Sequence, residues 1–176
     1  NRISIGLQSC NDNLLKMLGR IHTFEEFLST YKMAEETGFT NINVDLMIGL
    51  PGQTMEDINK FLEQIINLEP QHISVYSLII EEGTPIERKI LNGELKLPKE
   101  DMERKQYWEV KRTLEKFEYK HYEISNFAKE GFESKHNLNC WEQKEYKGFG
   151  VAAHSYIKNV RFSNVEIIEE YLQNTE

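Results

Sequence analysis

Two stretches near the start of the chain alternate apolar and polar residues with a period of two, and helical spacing separates them. In residues 2–8, Ile3, Ile5 and Leu7 point one way and Ser4, Gly6 and Gln8 the other. In residues 41–48, Ile42, Val44, Leu46 and Ile48 share one face, and Asn43, Asp45 and Met47 share the opposite face. A parallel strand buried on both sides reads as a continuous apolar run. A strand polar on one side fits a small barrel, with one face against outer helices and one towards the lumen. A polar lumen suggests a barrel that holds a ligand or water.

The intervening segments supply the helices. Residues 11–18 predict a short helical turn closed by Gly19. Thr23 and Glu26 form a capping box, and Phe24, Phe27, Leu28, Tyr31 and Ala34 follow at helical spacing until Gly38. Thr54 with Asp57 starts the next helix, with Ile58, Phe61, Leu62, Ile65 and Ile66 as its buried stripe. Residues 71–80 predict a third strand. The order βαβαβ is the signature of parallel crossovers. Beyond this the pattern changes. Thr84-Pro85 opens a short helix, and Pro98 introduces a long one with Tyr107, Val110, Leu114 and Phe117 on one face. A fourth strand is expected over 119–127, loops with short strands over 131–164, and a last helix over 165–174. The expected division is a barrel part, 1–82, and an α+β region, 83–176, with a soft boundary near 81–83.

The 176 residues suffice for one domain or parts of two, and 39% hydrophobic residues allow a sizeable core. No apolar run approaches the roughly 18–20 residues of a membrane span, and no leader pattern opens the chain. The first residue is Asn, which suggests processing or an excerpt from a longer protein. A net charge of -8 argues against a general nucleic-acid surface. The two cysteines, Cys10 and Cys140, lie far apart and form no C-x-x-C. Two thiols cannot complete an iron–sulfur or zinc site, and both are expected as small apolar side chains.

Ligands of parallel α/β folds bind at the carboxyl ends of the strands. Gln8 and Asp45 sit towards that end on the lumen side, and Arg20 follows the first strand and its helical turn. Asp45 can accept bonds from ribose hydroxyls, and Arg20 can pair a carboxylate with two bonds. A structural Arg20–Asp45 ion pair is the equal alternative. The loop Leu50-Pro51-Gly52-Gln53-Thr54 is turn chemistry with a helix cap and lacks the G-x-x-x-x-G-K of a phosphate loop. Downstream, His136, Asn137 and Trp141 form a second cluster. Histidine is a common axial ligand of haem iron and an aromatic neighbour suits a porphyrin face; a hydrogen-bonded loop histidine is the alternative. His154 is expected in a tight glycine turn, and Glu123 as an exposed carboxylate or a cap.

With these segments the chain resembles the radical S-adenosylmethionine superfamily. The branch is that of oxygen-independent coproporphyrinogen III oxidase and the HemW-type haem chaperones. The segments are residues 2–9, 18–22, 43–54, 81–85 and 121–128, with His136-Asn137. The resemblance covers nearly the whole chain. It implies the C-terminal part of a partial (β/α)6, TIM-like barrel with adenosylmethionine and a [4Fe-4S] cluster at its top, followed by a smaller α+β region. It carries adenosylmethionine contacts onto Gln8, Arg20 and Asp45, and more weakly onto Met47 and Ile79. Tyr122 to Ala128 and His136-Asn137-x-x-x-Trp141 look like the chaperone branch, whose members bind haem and pass it to acceptors such as respiratory enzymes in the cytoplasm. The oxidase, which turns porphyrinogen propionates into vinyl groups, is the alternative. The chain departs from the family in having cysteine at positions 10 and 140, where an aromatic is usual. It also lacks the cluster-binding C-x-x-x-C-x-x-C and the glycine-rich adenosylmethionine segment, which in the family lie upstream. A third expectation is therefore that the isolated chain is an inactive fragment.

Overall fold

The structure is a computed structural model that describes residues 1–173. The chain gathers into two compact units, 1–133 and 134–176. The first is built on a five-stranded sheet of order β1-β2-β3-β5-β4, where β1 is Ile3–Gln8, β2 Ile42–Ile48, β3 His72–Ser77, β4 Lys120–His121 and β5 Asn126–Ala128. β1, β2 and β3 pair in parallel, and β5 is antiparallel to both β3 and β4.

The parallel part follows the sequence pattern closely. Between β1 and β2 lie α1 (Asp12–Met17) and α2 (Phe24–Glu36); between β2 and β3 lies α3 (Met55–Leu68). Both expected capping boxes form: Thr23 with Glu26 opens α2, and Thr54 with Asp57 opens α3. The stripe Ile58, Phe61, Leu62 and Ile65 is buried against Val44, Leu46, Ile48, Ile73 and Val75. Phe27, Tyr31 and Ala34 of α2 join the same core. After α4 (Pro85–Leu91), α5 (Glu100–Lys116) adds Val110 and Leu114. Phe117, expected on that face, is instead exposed at the end of α5.

The single strand expected over 119–127 is a short hairpin. Residues 122–125 turn the chain back, and the Glu123 carboxylate accepts bonds from the Ser125 backbone N–H and the Asn126 amide. The change of pattern near 81–83 falls inside the first unit.

The loop after β2 is locked by two amide side chains. Gln53 Oε1 accepts from Leu50 N at 3.2 Å while its Nε2 donates to Met47 O at 3.0 Å. Gln106, fully buried on α5, accepts from Gly49 N at 2.9 Å and donates to Gln53 O at 3.3 Å. Gly49 has φ +73, and a Cβ there would press on Glu103 at 3.3 Å, so glycine suits both the turn and the close approach of α5.

In the second unit, α6 (Lys135–Trp141) occupies part of the stretch expected as loop, capped by Ser134. β6 (His154–Ile157) and β7 (Val160–Ser163) form a hairpin whose two turn residues, Lys158 and Asn159, both have positive φ. The Tyr171 hydroxyl of α7 (Ile168–Gln173) accepts from Gly150 N at 3.0 Å. The expected end of that helix at Asn174 lies outside the described residues.

Gln106→Leu conserves bulk but leaves the Gly49 N–H and Gln53 carbonyl without their buried partner. Urea unfolding is expected to show a loss of about 2 kcal/mol.

Candidate functional site

The inner face of the sheet is the face turned away from α2, α3 and α5. Register places its side chains in rows. Gly6, Asp45, Ser74 and Asn126 stand opposite one another across β1, β2, β3 and β5; one row below stand Ser4, Asn43, His72 and Ala128. Period-two alternation puts these polar groups together and sends Val44, Leu46 and Ile73 to the core.

The lower row is a connected network. Asn43 Nδ2 donates to Asp45 Oδ1 at 2.7 Å and to Ser4 Oγ at 3.2 Å. Asn43 Oδ1 accepts from Ser74 Oγ at 3.1 Å and lies 2.6 Å from His72 Nδ1. His72 Nε2 lies 2.7 Å from the Tyr122 hydroxyl. His72 is almost wholly buried. Burial, with a smaller contribution from the Arg2 charge, lowers its pKa from 6.5 to about 3. Asn126, in the upper row, is buried too, and its Oδ1 has no hydrogen-bond partner among the described residues.

Gln8 closes the row at the end of β1. The β1–β2 register shifts between Gly6 and Gln8, and Gln8 takes φ +71. A Cβ on Gly6 would lie 2.9 Å from Gln8 Nε2, so the amide of Gln8 folds back over Gly6 on the inner face. Arg20 is exposed in the loop after α1. His22 Nε2 lies 3.2 Å from Leu7 O, which ties this loop to the end of β1. The alternative Arg20–Asp45 ion pair is not made among the described residues. Met47 is half-buried in β2, and Ile79 is exposed beyond β3. Nearby, Asn11 Nδ2 donates to Asp57 Oδ1 at 2.8 Å. Burial alone would raise the Asp57 carboxyl; the bonds from Asn11 and Thr54 outweigh it and hold the pKa below the usual value.

His136, Asn137 and Trp141 all lie on α6. His136 and Cys140 are one turn apart, with Nε2 3.8 Å from Sγ, and the His136 ring meets Tyr146 edge-on. Asn137 and Trp141 are also one turn apart, on a neighbouring stripe of the helix. His154 lies exposed on β6. Cys10 is buried, and burial pushes its thiol up to about 12. Among the described residues no group of three or more His, Cys, Asp or Glu is arranged to hold a metal ion. This chain therefore does not fit an iron–sulfur cluster by its own side chains. The inner face fits a ligand rich in hydroxyl and amino groups better. Asp45 accepts one bond at Oδ1 and has no other hydrogen bond or ion pair among the described residues.

His72 is the participant that sequence reasoning missed. Its signal was available in the alternation of His72, Ser74 and Tyr76 along the third strand.

A family model described as the radical SAM superfamily matches residues 1–65. Heme chaperone HemW of Bacillus subtilis is 42% identical over 172 residues, which cover 98% of this chain and 45% of that protein. Heme chaperone HemW of Lactococcus lactis is 40% identical, covering 98% of this chain and 46% of that protein. The chain thus spans about half the length of the curated relatives it matches. The structure of coproporphyrinogen III oxidase (HemN) from Escherichia coli, described as a radical SAM enzyme, superposes with a TM-score of 0.77 at 25% identity. It covers 98% of this chain and 42% of that one. The match bears out the expected fold, the C-terminal part of a partial (β/α)6 barrel followed by a smaller α+β region. No helix among the described residues is long and apolar enough to cross a membrane.

His72 also gives the site a pH signature. The folded ring takes up a proton only near pH 3, whereas the unfolded ring does so near 6.5. Between these values the unfolded state binds more protons, so stability present above pH 6.5 is lost as pH falls. Urea titrations are expected to lose up to about 1.4 kcal/mol per pH unit below 6.5, a slope that His72→Asn removes.

On this evidence residues 1–65 match the radical SAM superfamily, and the chain is similar over nearly its whole length to one part of HemW-type proteins.

Proposed function

We propose that the chain forms part of a haem chaperone of the HemW type, which binds adenosylmethionine on the inner face of the sheet and haem through α6. The observation that carries the ligand assignment is the state of Asp45. Its carboxylate is held at one oxygen by Asn43 and is not spent on an ion pair with Arg20. An ionised carboxylate only accepts, so its second oxygen suits the hydroxyl groups of a ribose. Gln8 contributes an amide beside it, and Arg20 an exposed cation for the ligand's carboxylate. Met47 and Ile79 are the apolar contacts further along. Adenosylmethionine and a [4Fe-4S] cluster supply radical chemistry when both are bound. This chain contributes adenosylmethionine contacts to that pair, and its two cysteines leave the cluster without a ligand set here.

For haem, the support is the similarity to HemW proteins and the exposed imidazole of His136 on α6. His136 is the axial-ligand candidate, with Asn137 and Trp141 as flanking contacts, and delivery to haem-accepting respiratory enzymes in the cytoplasm is the role that follows. The likeness to the HemN structure favours the second reading, oxidative decarboxylation of coproporphyrinogen III.

Two measurements on the intact protein separate these. Haem titration is expected to give a Soret band that His136→Ala shifts and weakens at least about ten-fold in affinity; an unchanged band and affinity overturn the ligand assignment. Asp45→Asn is expected to weaken adenosylmethionine binding by about ten-fold or more in calorimetry. Formation of protoporphyrinogen by the reconstituted protein under anaerobic, reducing conditions decides for the oxidase.

A further inference from the structure

The direction of every hydrogen bond around Asp45 can be deduced from chemistry. A carboxylate cannot donate, so the group that Asn43 turns towards Asp45 is its NH2. The carbonyl Oδ1 of Asn43 then faces His72 Nδ1 and the Ser74 hydroxyl, and it can only accept. His72 Nδ1 therefore carries a proton. A neutral imidazole has one N–H, so Nε2 is the bare nitrogen and accepts from the Tyr122 hydroxyl 2.7 Å away. Proton donation runs one way, from Tyr122 through His72 and Asn43 to Asp45. Two β-strands, β2 with Asn43 and Asp45 and β3 with His72, and the β4–β5 turn with Tyr122 supply the members, so the sheet itself fixes the order.

We propose that Asn43 is a positioning residue for Asp45, and that His72, with Tyr122 behind it, sets the orientation of the Asn43 amide. The role of this chain of bonds is to hold one carboxylate oxygen so that the other meets the ligand. With His72 in the opposite tautomer, Asn43 would face a bare nitrogen with its carbonyl and would turn over. It would then present an acceptor to the carboxylate. The inference rests on the assignment of Asp45 as an adenosylmethionine contact, and it adds three residues to that site: Asn43, His72 and Tyr122.

Two measurements on the intact protein test it. Long-range ¹H–¹⁵N spectra of the ¹⁵N-histidine-labelled protein at pH 7 are expected to show His72 as the Nδ1–H tautomer. An Nε2–H tautomer or an imidazolium overturns the proposal, with or without ligand present. The second measurement is adenosylmethionine affinity by calorimetry. His72→Leu keeps bulk and loses the donor, and it should weaken binding about ten-fold. His72→Asn keeps a donor in the Nδ1 position and should stay within about three-fold of the parent. Equal loss in both variants, or none in either, overturns the proposal. If His72→Leu does not fold, Tyr122→Phe takes its place with an expected loss of about three-fold, and no loss overturns it. Asp45→Asn separates the two levels of argument. No effect there overturns the adenosylmethionine site and this proposal with it. Weakening by Asp45→Asn without weakening by His72→Leu or Tyr122→Phe overturns the positioning role alone.

Discussion

Burial of one face of β2 is the constraint on which the first unit depends. Val44, Leu46 and Ile48 are fully buried against α3 and α5, while parallel partners on both sides satisfy the backbone. Burying these three side chains contributes on the order of 5–9 kcal/mol before conformational entropy is counted. Once that face is fixed, the pleat leaves Asn43, Asp45 and Met47 no alternative but the inner face. The polar inner face is therefore a by-product of core formation: the side chains that fold the sheet also aim those on its other side.

The capping boxes and the amide locks extend that logic to the ends of the strands. Thr54 and Asp57 set the start of α3, and Asn11 reaches Asp57 from the start of α1. Two helix starts are thereby joined near the end of β1, where Gln8 stands. Gln53 and Gln106 do the same for the turn after β2. None of these contacts involves a formal ion pair, and each satisfies a backbone or carboxylate group that would otherwise be stranded. A ligand arriving here would meet groups already held in place, which lowers the ordering cost of binding.

Much of this was legible in the sequence because its causes are local. Strand alternation, Thr23-x-x-Glu26, Thr54-x-x-Asp57 and the stripe of α3 are all read within a few residues. What was missed is non-local or chemically silent. His72 acquires its meaning from Asn43 and Tyr122, 29 and 50 residues away. Residues 122–125 contain no glycine or proline, and the turn is made by the Glu123 side chain, so one strand was expected where there are two. α6 was hidden because Asn137 and Asn139 are weak helix formers; the Ser134 cap starts it. The resemblance singled out Gln8, Arg20 and Asp45, and the geometry then showed what Asp45 touches and what it does not.

The register rows have a consequence for how such a protein can vary over generations. Substitutions on the inner face are graded: one contact is lost, and the sheet remains. A single-residue insertion or deletion within β2 is of another kind, because it exchanges Asp45 with Leu46 and Asn43 with Val44 in one step. The core would receive a carboxylate and the inner face a leucine, so the packing of one side and the polar network of the other would fail together. β1 carries its own irregularity at its end, where the register with β2 shifts between Gly6 and Gln8. By the same argument the interior of β2 tolerates a change of side chain far better than a change of length.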